Sequence, residues 1–143
     1  MAESEAIQTL RMTVEKYLSE SFGNYLRDQK NNYIIQAGSA QIIIVPSDWI
    51  NNQTILKILA VINIGAKVTP DLTRYLATEN LKILFGKLAL DEKTPAIYLE
   101  HNLLGDFLNR KELEVAVLGV GVTADKYDNE IKDKFGGKML GEF

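Results

Sequence analysis

His101 is the chain's one histidine, and Glu100 stands next to it. An imidazole beside a carboxylate could serve as an acid–base pair. On a strand, however, neighbouring side chains point to opposite faces, so these two cannot form a dyad. Asp125, Asp128 and Glu130 could share a proton or a cation. Bases follow at the i+4 positions, Lys132 after Asp128 and Lys134 after Glu130, and that pattern belongs to a solvated helix face. Gly119-x-Gly121 lacks the third glycine and the preceding strand of a dinucleotide fingerprint. The chain contains no phosphate-binding loop, no Gly-x-Ser-x-Gly elbow and no His-Glu-x-x-His. It has no cysteine, which excludes disulfides, thiolate catalysis and Cys-ligated metal. The residues therefore predict neither catalytic machinery nor a metal or cofactor site. They point to a protein that works by binding.

Composition agrees. Of 143 residues, 46% are hydrophobic and 24% charged, with a formal net charge of -3. That charge gives no electrostatic case for nucleic acid or an anionic membrane as partner. The Met-Ala-Glu-Ser-Glu start lacks the basic and apolar regions of a secretory signal, and no apolar run reaches the ~20 residues of a membrane span. A cytoplasmic protein is the expectation. The length predicts one domain over residues 1–143, ordered from about 5 to 137 with a loose tail at 138–143.

The elements that must position any binding residues can be read in order. Glu5 to Phe22 is a helix with Ile7, Leu10, Val14, Tyr17, Leu18 and Phe22 on one side and Gly23 as its stop. Residues 24–31 read as a connection. Asn32–Ala37 and Ala40–Val45 are strands joined through Gly38-Ser39, and Pro46 is expected to end the second. Thr54–Ile64 is a third strand. Thr69-Pro70 starts a short helix that ends near Asn80. Leu81–Leu90 and Ala96–Leu103 are the fourth and fifth strands. Asn109 and Glu112 have capping-box spacing, and Leu113, Val117, Val120, Ala124, Tyr127, Ile131 and Phe135 make one helical stripe closed by Gly136-Gly137. Val115–Thr123 could be a strand, but the cap and the continuous stripe favour helix. Its first half, apolar nearly all round, is expected to be deeply buried. The predicted fold is α+β, in the order α-β-β-β-α-β-β-α, with one antiparallel five-stranded sheet covered by helices on one face.

Alternation along the strands assigns the two faces. Tyr33, Ile35, Ala37, Ile42, Ile44, Leu56, Ile58, Ala60, Ile62, Ile97, Leu99 and Leu103 form an all-apolar set for the helix side. The other side carries Gln36, Gln41, Lys57 and Glu100, yet keeps Ile34, Ile43, Leu59, Val61 and Tyr98. An apolar cluster bordered by charges on an open face suits a protein-binding patch. The predicted partner site is Ile43, Lys57, Leu59, Val61, Tyr98 and Glu100, with Trp49 as a rim anchor that could instead fold back on the core. A homodimer that buries this face against itself is the alternative.

The run Asn80-Leu81 through Phe85-Gly86, then Asp91-Glu92, Glu100-His101, Glu112-Leu113, Ala124-Asp125-x-Tyr127-Asp128 and Gly136-Gly137, together with Thr69-Pro70-x-Leu72, resembles the cyanobacterial branch of the YbjN-domain, type III secretion chaperone-like family. The resemblance covers about residues 41–137. It departs at Gly86–Leu90, where the pattern has a second aromatic near position 88. It implies a cytosolic, non-enzymatic and often dimeric protein that holds a short peptide segment of a client. A carbon-fixation or photosynthetic assembly is the candidate source of that client. No site residue transfers from the family, so the site rests on the strand faces alone.

Overall fold

The computed structural model describes residues 2–141. Helix α1 (Glu5–Phe22) precedes β1 (Leu26–Arg27), β2 (Tyr33–Ala37), β3 (Ala40–Asp48) and β4 (Thr54–Ile64). Helix α2 (Pro70–Glu79), β5 (Lys87–Asp91), β6 (Ala96–Leu104) and α3 (Arg110–Phe135) complete the order. The strands form one six-stranded sheet, β1-β2-β3-β4-β6-β5, and every pairing is antiparallel. The strand beyond the predicted five is β1, a two-residue edge lying within the stretch read as a connection. It pairs with the start of β2, Leu26 opposite Ile34.

Local chemistry accounts for the helix ends. The Ser4 hydroxyl accepts from the Ile7 amide at 3.1 Å, the Thr69 hydroxyl from the Leu72 amide at 3.2 Å, and the side-chain Oδ1 of Asn109 from the Glu112 amide at 2.8 Å. Each satisfies an amide that the first helical turn leaves orphaned. All three helices lie on one face. Their inner residues, among them Leu10, Val14, Leu18, Leu72, Val117, Val120 and Ile131, join Tyr33, Ile42, Ile44, Leu56, Ile58 and Leu99 in one buried core. Val115–Thr123 is helix throughout. Gly121 allows α3 to approach the sheet closely, since a Cβ there would lie 2.9 Å from the Cβ of Ala37. Arg11 pins α1 to the β2 edge: it pairs with Glu3 at 2.7 Å and donates to the Asn31 carbonyl and the Tyr33 hydroxyl.

Four expectations are corrected. Pro46 does not end its strand; β3 continues to Asp48, with Pro46 opposite Leu56. Beyond Ile44, β3 has no β2 neighbour, and an edge tolerates a residue without an amide hydrogen. Leu81–Leu90 is not one strand. Residues 80–82 form a 3-10 turn, Gly86 sits at φ 106°, and only Lys87–Asp91 pair. The side-chain amide of Asn80 donates to the Leu88 carbonyl at 3.2 Å and accepts from the Leu88 amide at 2.7 Å, standing in for a strand on that edge. The first half of α3 is not buried all round: Val115, Leu118 and Val122 are 40%, 47% and 73% exposed. Finally, residues expected as a loose tail begin with an ordered contact. Lys138 exchanges two backbone hydrogen bonds with Ile64, each of 2.9 Å; residues 142 and 143 lie outside the described ones.

Candidate functional site

On the sheet face away from the helices, the pairing register lines up one row across all six strands. Leu26 lies opposite Ile34, Ile34 opposite Ile43, Ile43 opposite Leu59, Leu59 opposite Glu100, and Glu100 opposite Lys87. The row is aliphatic over four strands and charged over the last two. A second row places Val61 opposite Tyr98 and Tyr98 opposite Ala89. A third places Val45 opposite Lys57 and Lys57 opposite Asn102. Directly opposed side chains on one face touch at about 4.5–5.5 Å between Cβ atoms, so these rows form a continuous surface. Ile34, Ile43, Leu59, Val61 and Tyr98 are all half-buried, and none belongs to the helix-side core or packs against it. Val61 borders a small cavity with Met139 and Leu140, and Ile34 one with Asn24 and Tyr25.

The structure thus brings together Ile43, Lys57, Leu59, Val61, Tyr98 and Glu100. It does not bring Trp49 to them. Trp49 lies just past the end of β3, 48% exposed, roughly 20 Å of strand from Ile43. Its amide donates to the Gln53 carbonyl at 2.8 Å. Sequence reasoning missed Val45, Lys87 and Ala89, which share the face. Lys87 and Ala89 were hidden inside a strand predicted too long, while Val45 was legible by parity with Ile43.

The residues weighed for chemistry take structural places. His101 packs its ring edge-on to Phe85, with centroids 5.6 Å apart, and burial lowers its pKa. Glu130 accepts from the Tyr75 hydroxyl at 2.7 Å, while Lys134 lies over the Tyr75 ring at 4.8 Å; the expected Glu130–Lys134 pair is replaced by this arrangement. Asp125 accepts from the Ser39 hydroxyl and so ties α3 to the β2–β3 turn. One Asp128 oxygen, Oδ1, is buried without a hydrogen-bond partner. Burial first, and then the charge of Asp125, push the Asp128 carboxyl above its ordinary pKa. An acid whose folded pKa is raised opposes folding while ionised, and the penalty fades as pH falls through that pKa. Asp128→Asn is therefore expected to stabilise the protein at pH 7, with the gain gone below the unfolded carboxyl value of about 3.9. Urea melts across that range measure it.

An antiparallel sheet roofed by helices on one side is the architecture of type III secretion chaperones. The chain belongs to the T3SS (YopN, CesT) and YbjN peptide-binding chaperone 1 family, TY-Chap1, whose model matches residues 8–142. Solved structures share the architecture at low identity. A chain of the HopA1–SchA chaperone–effector complex aligns with a TM-score of 0.65 at 12% identity, over 90% of this chain and 99% of that one. The complex of the Yersinia pestis type III secretion chaperone SycH with a stable fragment of YscM2 aligns at 0.57 and 16%, over 82% and 98%. The ExsC–ExsE complex aligns at 0.56 and 12%, over 89% and 96%. No curated protein sequence matches the chain.

Proposed function

We propose that the protein is a non-enzymatic chaperone or assembly adaptor that holds a short segment of a client on the open face of its sheet. The observation that carries this reading is the row Ile34–Ile43–Leu59, flanked by Val61 and Tyr98, which no helix covers. Burying such side chains against a client yields about 25 cal/mol per Å² of apolar area. Lys57, two residues along β4 from Leu59, and Glu100, directly across from it on β6, would fix the register of a bound segment and reject one of the wrong charge. A client segment of matching chemistry presents aliphatic or aromatic side chains at the centre and opposite charges at its margins. The chaperone complexes among the structural relatives make capture of a polypeptide the natural use of this frame. The protein acts in the cytosol, and a carbon-fixation or photosynthetic assembly is the first place to look for the client.

The test is co-purification from the native host with wild type and Leu59→Asp. Loss of the client with the circular dichroism spectrum unchanged supports the surface. Undiminished recovery with the fold intact removes it.

A further inference from the structure

A second apolar surface lies on the helix side. The outer stripe of α3 shows Val115, Leu118 and Val122 to solvent, and beside it the segment between α2 and β5 holds out Leu84 at 90% exposure. Between them runs a trough of about 510 Å³. Past Phe85 and Val115 it continues into a second hollow of about 480 Å³, which Leu103 and Ala116 also line. The floor is fixed. The Phe85 ring lies against Gly119, where an added Cβ would come within 3.1 Å of it, and the His101 ring packs edge-on to it with centroids 5.6 Å apart. A preformed apolar hollow of several hundred Å³ with few polar groups is the ordinary form of a small-molecule site.

The polar groups are one-sided. Lys82 and Lys126 are the charged side chains of the first hollow, and no carboxylate lines it. Most of its polar atoms are already committed. Lys82 is held by Glu79 at 2.8 Å, the Tyr127 hydroxyl donates to Glu79 at 3.2 Å, and the Thr123 hydroxyl donates to the Gly119 carbonyl at 2.8 Å. Lys126 lies over the Tyr127 ring at 5.1 Å, and its ammonium remains for a ligand. At the far hollow a carboxylate would meet Glu112, because Lys111 there is paired with Glu114 at 3.3 Å. We propose that the trough binds one long-chain fatty acid, its carboxylate on Lys126 and its chain laid over Phe85 toward Leu103. Lys126 and Glu112 stand fourteen residues apart on α3, about 21 Å along the axis, which suits an extended chain. The net charge of -3 disfavours a bilayer of anionic lipid, so the ligand is a single soluble amphiphile. The client face lies on the other side of the sheet, so this site and that reading fail separately.

Isothermal titration calorimetry on the full chain tests the site, with sodium octanoate, decanoate and dodecanoate below their micelle concentrations. Saturable binding of one dodecanoate per chain is expected, with affinity rising about two- to fourfold per added methylene along the series. Dodecyltrimethylammonium, with the same chain and the opposite charge, should bind far more weakly. Leu118→Asp should weaken dodecanoate at least about tenfold. Lys126→Glu should weaken it roughly fivefold and admit the ammonium instead; a loss of packing alone would not reverse that preference. Circular dichroism checks that both variants are folded. Dodecanoate that does not saturate, or that binds no better than the ammonium, overturns the proposal. So does binding that survives Leu118→Asp, binding that Leu59→Asp abolishes instead, or a Lys126→Glu protein with the wild-type preference.

Discussion

Replacing Asn63 by leucine is expected to cost about 2–4 kcal/mol of folding stability, although the two side chains are similar in size. Asn63 is fully buried at the irregularity near the end of β4, where the register with β6 shifts between Val61 and Asn63. Its amide nitrogen donates to the Gly136 carbonyl at 2.9 Å, and its oxygen accepts from the Ala66 amide at 3.2 Å. One side chain thus joins the central strand, the turn after it and the end of α3. Leucine leaves the buried Ala66 amide unpaired at its full desolvation cost and also loses the hydrogen bond that ties the exposed Gly136 carbonyl to β4. Gly137→Ala strikes the same junction. Gly137 sits at φ 80°, and a Cβ there would lie 2.1 Å from the Asn63 oxygen and 2.7 Å from the Ala66 nitrogen. The two substitutions are expected to be less than additive, because either one already breaks the junction. Urea denaturation of both single variants and the double variant measures the coupling. Full additivity would separate the two residues.

The second large effect contrasts two neighbours on β4. Ile58 is fully buried, lies opposite Ile44 and His101 and belongs to the helix-side core. Ile58→Ala is expected to lose about 2–5 kcal/mol, the transfer term plus the cavity left behind. Leu59, one residue on, faces away from that core. With no layer above it to leave a cavity, Leu59→Ala should fall near or below the low end of that range, about 1–2 kcal/mol. Chemical denaturation of the pair therefore reports on the one-sidedness of the sheet. Equal losses would mean that something packs on both faces.

Much of this asymmetry was legible in the strands because alternation is a period-two signal that tertiary context did not override. The all-apolar set is buried except at Ala37 and Leu103, which are half-buried against the core, and each apolar residue of the opposite set is half-buried. The starts of α2 and α3 were legible for a similar reason: Thr69 and Asn109 are capping residues in front of apolar periodicity. What failed were runs whose composition outweighed their punctuation. Leu81 to Leu90 is apolar enough for a strand, yet Gly86 at positive φ breaks it and the Asn80 side chain occupies its edge. The first half of α3 is apolar nearly all round, a composition that predicts deep burial. The signal missed was a second stripe, Val115, Leu118 and Val122, at helical spacing opposite the first; two apolar stripes call for two covers. Strand β1 carries no periodicity because two residues cannot, and its place is set by β2. Trp49 was assigned to the rim by residue type rather than position, and the length of β3 carries it away from Leu59.

The central claim is that a client lies on the bare sheet face. Site-specific photo-cross-linking in the native host tests it most directly, with the reactive side chain placed in turn at Leu59, at Ile43 and at Met12, which is exposed on α1. Adducts with one client from Leu59 and Ile43, and none from Met12, are the predicted result. Client adducts from Met12 with Leu59 and Ile43 silent would contradict the account.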